Sequence, residues 1–169
     1  MNLEFSFEYD LWNKSEVESI TKQCIESVFN ELKLKSDNIE ICLLFTSDEE
    51  VRILNKTFRG IDKPTNVLSF PAESIEKDDD NFATPCILGS VAIAYETLKR
   101  ESEEQNKKFE HHLSHLIIHS VLHLLGYDHI DKDKVIEMEQ LEVKILSSIG
   151  IPDPYQFNSE EQENVYKVS

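Results

Sequence analysis

All six histidines of this 169-residue chain lie between residues 111 and 129. Three of them, His119, His123 and His129, have the spacing H-x3-H-x5-H, which runs past Gly126. Residues four apart on a helix lie one turn above each other, so the rings of His119 and His123 can converge on one ion. A turn after Gly126 could return His129 to the same point. Three neutral imidazoles with a fourth position open are typical of a catalytic zinc site, which predicts one Zn2+ per chain.

The helix that carries these histidines should be buried. His112, His115, His119 and His123 share one stripe at about 100° per residue, and apolar residues cover nearly all of the remaining surface. Buried imidazoles cost free energy unless each has a hydrogen-bond partner or a metal. A lone helical histidine is more often a satisfied core or surface residue than a ligand. We interpret His111, His112 and His115 in that way.

The net charge of −16 argues against a chain that coats nucleic acid through a general basic surface, because affinity for phosphates comes from Lys and Arg. A polyanion would have to bind at a local basic site, and residues 51–70 offer one, with a single acid, Asp62. Its cations are Arg52, Lys56, Arg59 and Lys63. A solvated helix face and loop would explain this charge equally well.

Neither a membrane span nor a secretory signal is predicted. No stretch approaches 18 uncharged apolar residues, and the first ten residues lack a basic start followed by an apolar run. We therefore expect a cytoplasmic protein with no membrane partner. The three cysteines, Cys24, Cys42 and Cys86, are odd in number and widely separated, which predicts core residues and no disulfide framework.

Hydrophobic patterns predict four strands, near residues 3–9, 39–46, 66–70 and 86–95. The acidic, unpatterned stretch at residues 72–85 is predicted to be a mobile loop. The order of strands and helices predicts an α+β (α/β-like) domain with one small four-stranded sheet and helices packed around it.

Capping residues delimit the helices. Ser15 with Glu18 predicts a capping box for a helix to about Leu34, and Ser47 with Glu50 predicts another that ends at Gly60. The inner face of this second helix is expected to consist of Val51, Leu54 and Phe58. A charged helix near residues 96–108, the histidine helix, and a last helix from Asp131 to about Ile149 complete the set.

Two stretches resemble a known family. HSVLHLLGYDH, residues 119–129, closely resembles the signature of the YbeY family of metal-dependent endoribonucleases, also called rRNA maturation factors. LNKTFRGIDKPTNVLSFP, residues 54–71, resembles that family's second motif, and the similarity runs in the same order from about Asp48 to Ile149. The resemblance implies a small mixed sheet with the metal-binding helix in the core. We thus expect a single metal-dependent hydrolase domain at 1–150 and an acidic C-terminal tail at 151–169.

The resemblance also implies the site and the activity. His119, His123 and His129 would be the zinc ligands, and Arg59 the functional, catalytic arginine near the metal. The implied function is zinc-dependent, single-strand-specific endoribonuclease activity in maturation of the small-subunit rRNA 3′ end and in ribosome quality control. The implied partners are single-stranded or ribosomal RNA and the small ribosomal subunit or its associated factors. Oligomeric state, and whether water or the RNA 2′-OH attacks, stay open.

Three positions depart from the family pattern. The family usually has glycine where this chain has Ser120, and aspartate at the positions of Asn66 and Ser90. Ser120 also occupies the place of the catalytic glutamate in an HExxH peptidase, so a conventional zinc peptidase is disfavoured. Two alternatives stay open: a metallohydrolase acting on another ester or amide, and a ribosome-assembly binding protein in which the metal is structural.

Overall fold

The computed structural model describes residues 1–72, 77–78, 81–82, 86–128 and 130–156. These contain five α-helices: α1 Lys14–Leu32, α2 Asp48–Arg59, α3 Tyr95–Glu104, α4 Phe109–Leu124 and α5 Lys132–Ser148. The strands are β1 Asn2–Phe7, β2 Ile39–Thr46, β3 Val67–Pro71, β4 Lys77–Asp78, β5 Asn81–Phe82 and β6 Cys86–Ala94.

Four strands form one mixed sheet in the order β1-β2-β6-β3. The pairs β1–β2 and β2–β6 are parallel, whereas β3 runs antiparallel to β6. This confirms the predicted α+β fold with a small four-stranded sheet. The segment after α2 leads into β3, and β3 pairs with β6, the strand that leads into α3. The segment that follows α2 therefore lies close to the end of β6.

The two faces of the sheet pack against different helices. Alternate residues of β2, from Ile39 to Phe45, lie in the main core together with buried residues of α1, α4 and α5. A smaller cluster on the opposite face joins α2 to β3 and β6 and consists of Val51, Leu68, Ala92 and Ala94. The sheet therefore holds α2 on one side and the histidine helix on the other.

The histidine helix, α4, is buried as predicted. Leu113, Leu116, Ile117 and Val121 are at most 6% exposed, and Ser120 is fully buried among them. An α-helix that is apolar nearly all round is stable only inside a core, which explains why the sheet, α1, α3 and α5 all pack against it. That this buried helix binds a metal remains a prediction.

Two predictions about helix ends and faces were wrong. The N-cap of α1 is Asn13, whose side chain accepts a hydrogen bond from the Glu16 N–H, so the cap lies two residues before the predicted Ser15. Phe58 was placed on the inner face of α2, but its side chain is 67% exposed. In contrast, Ser47 caps α2 and Gly60 ends it in a left-handed conformation, as expected.

Residues 72–85 are not wholly unpatterned. Within them β4 pairs with β5 in a short antiparallel ladder, so the prediction of a loop without secondary structure was wrong at residues 77–78 and 81–82. Residues 73–76, 79–80 and 83–85 lie outside the described part of the chain.

No helix among the described residues is long and apolar enough to cross a membrane. Cys24 and Cys86 are buried, as predicted for core residues, whereas Cys42 is only half-buried, so the prediction was wrong for Cys42. Burial raises the pKa of the Cys24 thiol to about 12, which agrees with a core role for that residue.

Gly89 allows the sheet to close next to α4. It pairs with Ile41 at an irregularity in the β2–β6 ladder and with Pro71 of β3, and its φ is 146°. A Cβ at this position would clash with the backbone carbonyl of Phe70 and lie 2.9 Å from a methyl group of Leu124. Only glycine permits both this conformation and this approach of backbone to backbone.

We expect Gly89→Ala to lower the free energy of unfolding by roughly 2–4 kcal/mol, because it adds a steric clash to an unfavourable φ. Gly60→Ala is the matched control. Gly60 also has a positive φ, of 71°, but no atom lies within 4 Å of a Cβ there, so about 1 kcal/mol should be lost. Urea unfolding of the three proteins measures both values, and equal losses would contradict the importance of the contact at Gly89.

Candidate active site

A cavity of about 860 Å³ lies where α2, β3, α3, α4 and α5 meet. Arg59 at the end of α2 and the segment from Pro64 to Pro71 line one side of it. His119 and His123 of α4 line another, together with α5. The cavity therefore joins the two motifs singled out in the sequence, although they are far apart in the chain.

His119 and His123 form the predicted pair on one face of α4. Their ring centroids are 4.8 Å apart and the ring planes are nearly perpendicular, at 82°. His129, the third predicted ligand, lies outside the described residues. Among the residues that are described, no group of three or more His, Cys, Asp or Glu side chains is arranged to hold a metal ion. The described part of the site thus supplies two imidazoles, and the third ligand stays a prediction.

A buried carboxylate on α5 binds the histidine stripe. Glu142 is 1% exposed, and its Oε1 lies 2.8 Å from His115 Nε2 and 3.0 Å from His119 Nδ1. The Tyr155 hydroxyl donates to Glu142 Oε2 at 2.9 Å. A carboxylate only accepts hydrogen bonds, so the His119 ring donates through Nδ1, and the neutral form of this ring has its lone pair on Nε2. That is the tautomer in which Nε2 can bind a metal.

The charge of this network resides on Glu142. Burial alone would raise the pKa of Glu142, but the hydrogen bonds from His115 and His119 outweigh it and lower the pKa to about 2. Burial lowers the pKa of His115, which favours the neutral ring. The neutral His115 ring has its proton on Nε2, which faces Glu142. Its Nδ1 is buried without a hydrogen-bond partner, and in this tautomer that atom is an acceptor and not an unsatisfied N–H donor.

Tyr155 comes from the segment that the sequence assigned to the tail. Its backbone N–H donates to Asp153 Oδ1 at 2.8 Å, and Lys107 Nζ donates to the carbonyl of Pro154 at 2.7 Å. Burial, together with the nearby charge of Glu142, raises the pKa of Tyr155, so its hydroxyl stays protonated as a donor. Tyr155 therefore lines the cavity, while 157–169 lie outside the described residues and the domain boundary after 150 stays a prediction.

Arg59 is anchored at the edge of the cavity. Its Nη2 donates to the carbonyl of Ser69 at 3.1 Å, and its Cζ lies 5.9 Å from the centroid of the Phe70 ring. Arg52, by contrast, forms ion pairs with Glu49 and Asp62. Among the four cations of the basic stretch at residues 51–70, Arg59 is the one that lines the cavity.

The three departures from the family pattern have separate surroundings. Asn66 lines the cavity and donates to Glu101 Oε1 at 3.0 Å. Ser120 is fully buried and donates to the carbonyl of Leu116, so its hydroxyl bonds within α4. Ser90 lies on β6, where it pairs with Phe70; it is exposed and does not line the cavity. Among the three, Asn66 is the one placed to contact a ligand.

Sequence reasoning missed Glu142 and Tyr155. Glu142 lies between Met138 and Ile145 at helical spacing, and both of these neighbours are buried. A carboxylate at such a position is rarely buried unless it is paired, so the apolar period of α5 contained a usable signal. Tyr155 gave no comparable signal, because its role depends on a contact across 13 residues.

The comparisons with known proteins agree on one family. The sequence model of the family described as Endoribonuclease YbeY matches residues 4–150. A relative of that name from Bradyrhizobium diazoefficiens is 45% identical over 147 residues, which cover 86% of this chain and 80% of the relative. Another from Nitrobacter hamburgensis is 48% identical over 138 residues, covering 82% and 73%. A solution structure from Thermotoga maritima shares the fold, with a TM-score of 0.56 at 22% identity over 93% of this chain and 97% of that one.

We expect Glu142→Gln to lower the free energy of unfolding by about 2–4 kcal/mol, because it removes the charge that His115, His119 and Tyr155 share and turns an amide N–H2 towards donors. Glu139→Gln is the control, since Glu139 is half-buried on the same helix and lines the same cavity. It should lose less than about 1 kcal/mol. Urea unfolding in the presence of a chelator compares the two, and similar losses would show that the network contributes little.

Proposed function

The chain belongs to the Endoribonuclease YbeY family, as its two motifs predicted, and on that basis we propose that it is a zinc-dependent, single-strand-specific endoribonuclease. We further propose that it acts in maturation of the small-subunit rRNA 3′ end and in ribosome quality control, with the small ribosomal subunit or its associated factors as partners. The family name supports RNA cleavage, and the remaining specifics rest on the resemblance of the motifs.

One observation carries the proposal: Arg59 and the histidine pair line the same cavity. A phosphodiester is an anion that gains further negative charge in the transition state. Cleavage therefore needs a cation beside the phosphate and a group that activates the attacking oxygen or polarises the phosphate. In this proposal Arg59 would supply the cation, and the His119–His123 pair would hold the activating group.

The chemistry of two cavity residues, His119 and His123, supports a zinc ion as the activating group. His119 and His123 would hold it through ring nitrogens, with His129 as the proposed third ligand. Glu142 favours this because its hydrogen bond to His119 Nδ1 sets the tautomer and restrains the ring. When bound, zinc would supply Lewis acidity to a phosphate oxygen or to a water molecule.

Arg59 would bind the scissile phosphate. The hydrogen bond to Ser69 uses one of the five guanidinium N–H donors and restrains the side chain before substrate binds. Within the described residues Arg59 forms no ion pair, whereas Arg52 is bound by two acids. A guanidinium held in this way can present a planar fork to two phosphate oxygens and stabilise the charge that develops on them.

We expect His123→Ala to abolish stoichiometric zinc binding, because the ion would lose one of its three ligands. His111→Ala is the matched control, since His111 lies on α4 but does not line the cavity, and it should retain about one zinc per chain. Glu142→Gln should still bind zinc, with an affinity about 10- to 100-fold lower. Elemental analysis and competition with a chromogenic chelator measure both quantities, and full occupancy in His123→Ala would refute the assignment.

We expect Arg59→Ala to fold and retain zinc but to cleave RNA on the order of 10²-fold or more slowly, because the transition state loses its charge partner. Arg59→Lys should recover only part of the rate, since an ammonium cannot replace the bidentate fork. Arg52→Ala, in which a cation paired with acids is removed, should cleave at close to the wild-type rate. Single-turnover cleavage of one RNA, single-stranded and as a duplex, gives these rates.

Assays on the same protein preparations distinguish the proposed ribonuclease from the alternative functions. Equal rates for wild type, Arg59→Lys and Arg59→Ala would remove Arg59 from the mechanism. Turnover of ester or peptide substrates without turnover of RNA would favour a different metallohydrolase. Normal ribosome association by His123→Ala, together with no hydrolysis by the wild type, would favour an assembly protein with a structural metal.

A further inference from the structure

Phe58 is an exposed aromatic residue beside the cavity. Its side chain is 67% exposed at the end of α2, immediately before Arg59. The ring packs edge-to-face on Phe70, with centroids 5.5 Å apart and an angle of 64° between the planes. Phe70 thus restrains the ring of Phe58 while most of that ring stays in contact with solvent.

The same Phe70 ring also carries Arg59. The guanidinium Cζ lies 5.9 Å from the centroid of Phe70, and its Nη2 is bound to the carbonyl of Ser69, which lines the cavity. Phe58, Phe70 and Arg59 therefore form one continuous group, here called the aromatic–arginine cluster. It joins a flat apolar surface to a cation that faces the proposed scissile phosphate.

The chemistry of this cluster matches a nucleotide. Each nucleotide of single-stranded RNA has an anionic phosphate and a base whose faces are not held in the stack of a duplex, and aromatic side chains recognise such bases by stacking. A protein of net charge −16 repels a polyanion over most of its surface, so an anionic chain should settle where exposed cations remain. Arg59 at the end of α2 is exposed and directly follows Phe58 in the chain, whereas Lys56 lies 3.9 Å from Asp62.

We propose that Phe58 is a stacking platform for a base of the single-stranded RNA substrate, at a nucleotide next to the phosphate that Arg59 binds. This inference rests on the proposed ribonuclease function and adds a subsite to it. It assigns the binding of single strands in part to a surface that a base can cover only when it is outside the stack of a duplex.

The test is single-turnover cleavage at increasing enzyme concentration, which separates the half-saturating concentration from the maximal rate. Phe58→Ala and Phe58→Leu should raise the half-saturating concentration by about 5- to 150-fold, the range expected for loss of one stacked base. The maximal rate should change little. Phe58→Tyr should behave like the wild type, because it keeps the ring. Ile53→Ala is the control, since Ile53 is 49% exposed on the same helix but lies on a different side of it.

Abasic substitution locates the base. An RNA that lacks one base should bind the wild type more weakly when that base is the stacked one, whereas Phe58→Ala should not distinguish it from the intact RNA. Unchanged half-saturation in both Phe58→Ala and Phe58→Leu, or equal abasic effects in wild type and Phe58→Ala, would overturn the proposal.

Two other outcomes have distinct meanings. If the wild type neither binds nor cleaves RNA, the proposed function fails, and the stacking platform fails with it. If Phe58→Ala binds isolated RNA normally but loses association with ribosomal particles, Phe58 belongs to a protein interface and the stacking proposal is wrong. Urea unfolding of each variant shows that the compared proteins are folded.

Discussion

Burial of one carboxylate constrains the arrangement of the site. Glu142 is 1% exposed, and a carboxylate in such surroundings must be met by hydrogen-bond donors or it becomes protonated. The donors are His115 and His119 from α4 and Tyr155 from the segment after α5. Because each donor comes from an element that borders the cavity, satisfying this one charge fixes α4, α5 and residues 151–156 relative to each other.

The histidine side chains of α4 become more exposed towards the C-terminal end of the helix. The side chain of His112 is 5% exposed and bonded to Glu101, that of His115 is 13% exposed and bonded to Glu142, and that of His119 is 27% exposed where the stripe reaches the cavity. The first two are paired with carboxylates from neighbouring helices, which offsets the cost of burying imidazoles. This pairing lets an otherwise apolar helix occupy the core while its C-terminal histidines face the cavity.

Features set by local sequence were predictable, and features set by tertiary packing were not. β2 has the predicted bounds of residues 39–46, and Ser47 and Gly60 delimit α2, because strand composition and capping act over a few residues. Helical periodicity placed Phe58 on the same face of α2 as the buried Val51. It could not show that this face stops contacting the core before the last turn of the helix, where Phe58 lies. The bond between Tyr155 and Glu142 joins residues that no local pattern relates. The histidine pair was found because both members lie on one helix.

The charge of the chain bears on how a site of this kind could select its substrate. At a net charge of −16 a general surface cannot supply affinity for RNA, and two cations of the basic stretch, Arg52 and Lys56, lie near Asp62 at ion-pair distance. Long-range attraction is therefore weak, and contacts that depend on shape must supply a larger share of the binding free energy. Bidentate recognition of one phosphate and stacking of one base are contacts of that type. A base within a duplex cannot stack on a protein ring without first leaving the helical stack. An acidic enzyme that relies on such contacts would therefore disfavour duplex RNA without a separate structural element that excludes it.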